Sequence, residues 1–218
     1  YVHGYNNDHE DAVTRGQEYE NILRKKLSDE NFEMVVFSWR GDFGWLNFKG
    51  SKAIARDAAE SLYRLNRCLQ AEGIPVTILA HSLGNYLIGE SLFNHGDMEL
   101  DNWLALQAAV PSRDMTRKGR YGSAIENQVG SLQYTSGRGD KTTGWSIYGL
   151  SEGAIGMGNG GVKNAPANVT RIDYAPEEHG DILGKPITDA ARDAINRMRQ
   201  ITIDPTLQGQ CEILSGGE

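Results

Sequence analysis

The segment at residues 76–85 restricts the fold of this chain more than any other stretch. Its apolar start, Val-Thr-Ile-Leu-Ala, is typical of a buried strand and leads directly into His-Ser-Leu-Gly, with the serine at Ser82. Residues 83–94 then repeat apolar side chains at helical spacing. A strand, a sharp turn that carries a serine, and a helix form a nucleophile elbow, whose flanking residues must be small. Ala80 and Gly84 meet this need, although Ala80 replaces the usual leading glycine; the alternative is a turn without chemistry between a core strand and a core helix.

A second motif, His3-Gly4-Tyr5, stands near the start of the chain. In serine hydrolases with this strand-turn-helix pattern, a glycine after a strand lets a backbone N–H face the nucleophile. We therefore predict that the N–H groups of Tyr5 and Leu83 form an oxyanion hole beside Ser82. The short motif is common by chance, but its position before the elbow strengthens this interpretation.

Three motifs together resemble a known family. V-H-G-Y-N-N at residues 2–7, V-V-F-S-W at 35–39 and A-H-S-L-G-N at 80–85 are similar to the α/β-hydrolase superfamily. They are most similar to its poorly characterised bacterial group, the domain-of-unknown-function 900 type. The resemblance extends from Tyr1 to about His179 and is strongest in the first half. It implies a serine nucleophile and a triad in the chain order Ser, Asp, His, but it says little about the substrate.

The candidate acid follows a predicted strand at residues 128–135. A glycine-rich turn after this strand ends in Asp140, which is where the family places its acid. Two other carboxylates compete for the role: Asp173 lies within the last predicted strand, and Asp181 lies shortly after it.

The candidate general base is His179, which follows the last predicted strand at residues 169–175. Of the five histidines, it is the one that follows a strand downstream of the serine. We expect His3 to belong to its turn, and His81 to point to the other side of the elbow. We expect His9 and His95 to be solvated, and a loop histidine without chemistry is the alternative for His179.

The hydrophobic pattern predicts a single α/β domain over residues 1–218, with a mainly parallel sheet and helices on both faces. Helices are predicted over 8–27, 51–72, 83–94 and 188–200, and strands over 32–39, 103–110, 128–135 and 169–175, besides the strand before Ser82. Only Tyr1 and Val2 precede the His3-Gly4 motif. We therefore expect either a shortened chain or a minimal version of the fold that lacks its first strands.

Composition narrows the classes of partner. The net charge of −7 disfavours nucleic acid, and we expect the interrupted basic residues at 113–120 to be solvated. The apolar runs have the length of strands, so we expect no membrane span. Cys68 and Cys211 leave a disulfide open without suggesting one, and a cytoplasmic location is the default. We find no motif for a metal or an organic cofactor and expect neither.

Two segments are expected to shape specificity. The aromatic residues Trp39, Phe43 and Trp45 follow a predicted strand and are candidate substrate contacts, although they could instead pack over the core. Residues 141–167 lack clear periodicity and are rich in glycine, which predicts a mobile loop over the site.

These features favour a serine hydrolase that cleaves carboxylic esters with short acyl chains through an acyl-enzyme. A thioesterase, an amidase or an acyltransferase would use the same three residues, and the sequence does not separate them. A hydrolase-like fold kept as a non-catalytic binding module is a further alternative.

Overall fold

The computed structural model describes residues 1–26, 32–41, 48–137, 142–143 and 156–173. The helices in these ranges are α1 (His9–Lys26), α2 (Phe48–Ala71), α3 (Gly84–Asn94), α4 (Gly122–Gln128) and the short α5 (Met157–Gly160). The strands are β1 (Thr77–His81), β2 (Leu100–Leu106), β3 (Val129–Ser136) and β4 (Val169–Asp173). Helices α1, α2 and α3 lie where the hydrophobic periodicity predicts them; the predicted helix at 188–200 lies outside the described residues.

The four strands form one parallel sheet in the order β1-β2-β3-β4. In this sheet Ala80 lies opposite Ala105, and Ala105 lies opposite Tyr134. The sheet continues beyond β1 through Val2, which forms parallel bridges with both Ala80 and Phe37. The chain is thus an α/β protein with a parallel sheet, as predicted.

Helices cover both faces of this sheet. Alternate strand residues point to opposite sides, so Ile78 packs in one apolar cluster and Leu79 in another. The first cluster holds α2 and α3, with Leu62 and Leu87 in its core. The second cluster holds α1, whose Tyr19 is fully buried. Strand β1 is buried on both faces, which explains why its sequence is a continuous apolar run, Ile-Leu-Ala, rather than an alternation.

Helix α3 is the most enclosed of these elements. Every residue from Gly84 to Leu92 is buried, including the polar residues Asn85, Glu90 and Ser91. A helix buried on all sides needs a hydrogen-bond partner for each polar side chain, because an unpaired buried group costs about 1–3 kcal/mol. The hydrogen-bond partners of Asn85 and Glu90 therefore show which parts of the protein α3 holds in place.

Several predicted boundaries are wrong. The strand predicted over 32–39 is reduced to the single bridge at Phe37, since Val2 is the only residue that pairs with it in the described chain. The strand predicted over 103–110 lies at Leu100–Leu106, because Gln107 has a φ of 42° and cannot continue an extended ladder. Helix α4 was not predicted.

The basic segment at 113–120 differs from expectation. Arg120 is not merely solvated: its guanidinium binds the buried carboxylate of Glu90. Cys68, for which the sequence left a disulfide open, is disulfide-bonded. No helix in the described ranges combines the length and the apolar character that crossing a bilayer requires.

Candidate active site

Ser82 lies in the turn between β1 and α3 with a backbone φ of 50°. This left-handed conformation is uncommon for a residue with a side chain; it costs of order 1–3 kcal/mol and persists only where the surroundings enforce it. Gly84 shows why the turn must be small: a β-carbon there would lie 2.6 Å from the carbonyl oxygen of His3 and 2.8 Å from that of Val2. The strained serine and the crowded glycine together have the geometry of a nucleophile elbow.

The His3-Gly4-Tyr5 turn lies directly against this elbow. A β-carbon on Gly4 would lie 2.9 Å from Ser82 Cβ and 2.7 Å from His81 Nδ1. Gly4 is therefore the residue that allows the two motifs to meet, and the His81 ring lies on the side of the turn rather than away from it. The structure therefore places the His3-Gly4-Tyr5 turn in contact with the Ser82 turn, as the order of the two motifs predicts.

The two candidate oxyanion donors stand on either side of this contact. Leu83 is fully buried and precedes α3, and no backbone hydrogen bond in the described part of the chain uses its N–H. Tyr5 follows Gly4 and packs edge-on against Phe48, with ring centroids 5.9 Å apart. Their role as oxyanion donors stays a prediction.

His3 holds the turn in place from inside the protein. Its Nε2 accepts a hydrogen bond from the Trp39 backbone N–H at 3.0 Å, so Nδ1 carries the proton and donates to the Gly4 carbonyl at 2.9 Å. The Trp39 indole N–H donates in turn to the His3 carbonyl at 2.9 Å. Burial lowers the pKa of His3, which favours the neutral ring that this pair of bonds requires.

Trp39 was predicted to contact substrate. Its side chain is only 6% exposed and stacks on the His3 ring, with centroids 5.4 Å apart. This position gives Trp39 a supporting role for the His3-Gly4 turn, and direct contact with substrate stays a prediction. Phe43 and Trp45 lie outside the described residues.

Asn85 was quoted in the sequence motif but had no predicted role, and the structure makes it a central contact. Its side-chain NH₂ group lies 3.1 Å from the Ala80 carbonyl, 3.2 Å from that of Ser82 and 3.4 Å from that of Leu106. Its side-chain oxygen accepts the indole N–H of Trp103 at 2.9 Å. An asparagine directly after Ser-Leu-Gly was the available signal, but two of its four partners, Trp103 and Leu106, belong to β2, which follows later in the chain.

The carboxyl ends of β2 and β3 lie beside the elbow. Gln107, just after β2, has a φ of 42°, and its backbone N–H donates to Thr135 Oγ1 at 2.9 Å. The Ser82 N–H donates to the Leu106 carbonyl at 3.0 Å, so the turn is tied to the neighbouring strand end. Ligands of parallel sheets bind at these carboxyl ends, which supports a site at this edge.

The predicted acid and base, Asp140 and His179, lie outside the described residues, as does the competing Asp181. Asp173 ends β4 with its carboxylate 83% exposed and paired to Arg171 at 2.8 Å. His95 stacks on Tyr63 and contacts Glu60 at 3.1 Å instead of being merely solvated.

Part of the predicted mobile loop is packed. Within residues 141–167, α5 buries Met157, whose N–H donates to the Val110 carbonyl at 2.8 Å. The Gly158 N–H donates to the Ala108 carbonyl at 3.0 Å. Residues 141 and 144–155 lie outside the described part of the chain, and mobility of the loop stays a prediction.

An open groove of about 460 Å³ lies at the opposite edge of the sheet. It is formed by the amino ends of the strands, and its lining includes Gln70, Val76, Glu99, Asp101 and Asn127. Because it is on the far side of the sheet from Ser82, it is not part of the candidate active site. In the described ranges, no group of three or more His, Cys, Asp or Glu side chains is arranged to hold a metal ion.

A parallel sheet whose strand-to-helix turn carries a serine at positive φ defines the α/β-hydrolase class. Residues 1–108 match a family model described as an alpha/beta hydrolase of unknown function, DUF900. The chain has the α/β-hydrolase fold, and its first 108 residues are similar to the DUF900 type of that superfamily. This similarity supports hydrolytic activity in general.

Comparison with solved structures gives similarity to a predicted CIB-like hydrolase from Thermoplasma acidophilum. The two chains share 14% sequence identity with a TM-score of 0.41, over 90% of this chain and 84% of that one. Comparison with curated protein sequences gives no match.

Proposed function

We propose that this protein is a serine hydrolase that cleaves carboxylic esters through an acyl-enzyme on Ser82. The observation that carries the proposal is the position of Ser82: it sits at a φ of 50° between β1 and α3, with Gly4 against its Cβ. A structural turn has no need of a strained serine, whereas a nucleophile elbow does.

The proposed reaction divides into two displacements. The Ser82 oxygen attacks the ester carbonyl carbon while His179 takes the hydroxyl proton, and His179 then returns that proton to the departing alcohol. Water, deprotonated by the same histidine, releases the acid and restores Ser82. Asp140 holds the histidine tautomer, and the N–H groups of Tyr5 and Leu83 bind the oxyanion. The roles of Asp140 and His179 are proposed from their order in the chain.

We propose a preference for short acyl chains. The inserted stretch at 141–167 is polar and rich in glycine, so it is poorly suited to line a deep apolar channel. Phe43 and Trp45 are proposed to contact the acyl or alcohol group, together with any exposed edge of Trp39. A methylene that cannot be buried forfeits about 0.8 kcal/mol of transition-state binding.

The test of the nucleophile is labelling with a fluorophosphonate probe, followed by mass spectrometry of the peptide that contains Ser82. We expect the wild type to be labelled there and to hydrolyse p-nitrophenyl esters, with the largest kcat/KM at butyryl or shorter. Ser82→Ala should abolish both signals with an unchanged circular dichroism spectrum. Ser91→Ala is the matched control, because Ser91 is a buried, hydrogen-bonded serine on α3, the helix that follows Ser82.

Wild-type turnover in the Ser82→Ala variant would refute the proposed nucleophile. A specificity maximum at ten carbons or longer, about the length of a lipase substrate, would refute the shallow pocket. Parallel assays with thioesters, anilides and alcohol acceptors show whether the acyl-enzyme serves a reaction other than ester hydrolysis.

The acid is tested separately by Asp140→Asn. We expect turnover to fall by about 10⁴-fold, because the histidine loses its correct tautomer. Asp173→Asn should change turnover little, since that carboxylate is exposed and paired with Arg171. The reverse ranking would mean that the acid is misassigned.

A further inference from the structure

The carbonyl group of Ser82 is held by three donors at once. The backbone N–H groups of Asn85 and Ala109 donate to it at 3.2 and 3.1 Å, and the Asn85 side-chain NH₂ lies at 3.2 Å. The Asn85 N–H belongs to the first turn of α3, where such a bond is ordinary. The side-chain contact is additional, and it comes from a residue that is fully buried.

This arrangement fixes the direction of the next N–H. The peptide unit between Ser82 and Leu83 is planar, and in a trans peptide the C=O and the N–H point in opposite directions. Three donors hold the Ser82 oxygen toward the protein interior, so the Leu83 N–H is directed away from them. Rotation of this one peptide would remove the N–H from the oxyanion hole even if Ser82 stayed in place.

Asn85 is suited to prevent that rotation because it also binds the two flanking strand ends. The Ala80 carbonyl lies in β1, and the Leu106 carbonyl ends β2. The amide itself is oriented by Trp103, since only the side-chain oxygen of Asn85 can accept the indole N–H. A shorter or apolar side chain would leave the Ser82 peptide held by backbone donors alone.

We propose that Asn85 is a positioning residue that directs the Leu83 N–H toward the oxyanion by holding the Ser82 carbonyl. The inference rests on the proposed acyl-enzyme mechanism, because only a developing oxyanion makes the direction of this N–H matter. Asn85 is fully buried and its side chain binds backbone carbonyls and the Trp103 indole, so we expect its effect in the transition state and not in substrate binding.

The test compares Asn85→Ala with the wild type on p-nitrophenyl butyrate and on a boronic acid that mimics the tetrahedral state. We expect kcat to fall by about 10- to 100-fold, less than the loss on deleting an oxyanion donor outright. KM should be unchanged, and boronate affinity should fall by the same factor as kcat. Ser91→Ala, which removes a different buried hydrogen bond of α3, should leave kcat unchanged even if its melting temperature falls.

Asn85→Ala leaves the Trp103 indole N–H unpaired in the core, so the variant could fail to fold. In that case the comparison is made between Trp103→Phe and the double variant Trp103→Phe/Asn85→Ala, neither of which leaves an unpaired indole N–H. The double variant should show the lower kcat at equal KM. An equal kcat in the two proteins would overturn the proposal.

A crystal structure of the folded variant separates this proposal from the proposed function. We expect the Ser82–Leu83 peptide to rotate, so that the φ of Leu83 leaves its wild-type value of −68°. If the wild type hydrolyses no ester and is not labelled at Ser82, the proposed function fails, and the peptide orientation alone decides the role of Asn85. An unrotated peptide overturns the positioning role whatever the activity.

Discussion

Two of the buried polar residues of helix α3, Asn85 and Glu90, lie little more than one turn apart and are held in opposite ways. Asn85 is neutral, and its donors face backbone carbonyls at the elbow. Glu90 is charged, and its partners are the side chains of Arg56, Arg120 and Tyr121. The first set of contacts fixes the path of the main chain, whereas the second ties separate elements together.

The Glu90 cluster is a nearly complete set of partners for a carboxylate. Arg120 binds both oxygens at 3.1 Å, Arg56 lies 3.3 Å away, and the Tyr121 hydroxyl donates a short hydrogen bond. Burial alone would raise the pKa of Glu90, but the hydrogen bonds from Tyr121 and Arg120 and the two arginine charges together hold it below its ordinary value. The ionised form is therefore the native one.

The difference shows how one helix can serve two purposes. A neutral amide can bind carbonyl oxygens close to the proposed nucleophile Ser82 without adding a charge that would compete with a developing oxyanion. The charged cluster lies further along the helix, where its two arginines are 41–55% exposed and pair with the Glu90 carboxylate. We therefore expect changes at Asn85 to act on turnover and changes at Glu90 to act on stability.

The largest effect on stability is expected for Glu90→Ala. The free energy of unfolding should fall by about 3 kcal/mol, the lower end for breaking a buried ion pair, because the two arginines can turn toward solvent. The buried Tyr121 hydroxyl cannot do so and loses its acceptor. Urea unfolding measures the loss, while kcat per folded molecule should equal that of the wild type.

Arg64→Ala is the control for that experiment. Arg64 pairs with Glu60 at 2.8 Å on the surface of α2, with 76% of its side chain exposed. Exposed pairs contribute about 0–1 kcal/mol, so the variant should unfold close to the wild type. A comparable loss in both variants would contradict the special role of the Glu90 cluster, and a loss of kcat in Glu90→Ala would erase the contrast with Asn85.

The elbow, through His3, and the Glu90 cluster should lose stability in different pH ranges, by smaller amounts than the substitution above. His3 has a lowered pKa, so the unfolded chain takes up its proton first and stability falls as the pH drops below the ordinary value of 6.5. The charges of His9 and Asp11 act on His3 in opposite senses. Glu90 also has a lowered pKa, and its contribution is present above the ordinary value of 4.5 and lost as the pH falls through the native pKa.

Urea unfolding between pH 7.5 and 3 checks both windows, with the pH steps chosen about one unit apart. His3→Asn should flatten the curve just below pH 6.5, and Glu90→Gln should flatten it below pH 4.5. Wild-type and His3→Asn curves that stay parallel through the upper window would mean that His3 titrates alike in the folded and unfolded states.

The elbow and its glycine turn could be predicted because their signals are local. Ser82 and Gly84 stand between an apolar strand and an apolar helix, and Gly4 follows a strand end, so each motif describes its own conformation. Asn85 could not be predicted in the same way. Its role depends on the Leu106 carbonyl that β2 brings to the elbow and on Trp103, and only the folded sheet places these groups together.

Other differences have the same origin. The apolar run at 32–39 predicts a strand, but its ladder can be no longer than its partner, which is Val2. Arg120 belongs to a basic segment whose sequence predicts solvated side chains. Its partner Glu90 lies on α3, 30 residues earlier in the chain, so the sequence pattern around Arg120 does not reveal the pair. Composition shows which residues are polar, and the topology of the sheet decides which polar residues are buried together.

The position of Val2 has a consequence for the order of folding. Strands β1 to β4 lie side by side in the order in which they occur along the chain, so each can pair with the next as it forms. Val2 instead has to enter between Phe37 and Ala80, and contacts between such distant residues close slowly. Because Gly4 follows Val2 closely and lies against Ser82, we expect the His3-Gly4 turn to reach the elbow only after most of the sheet has assembled.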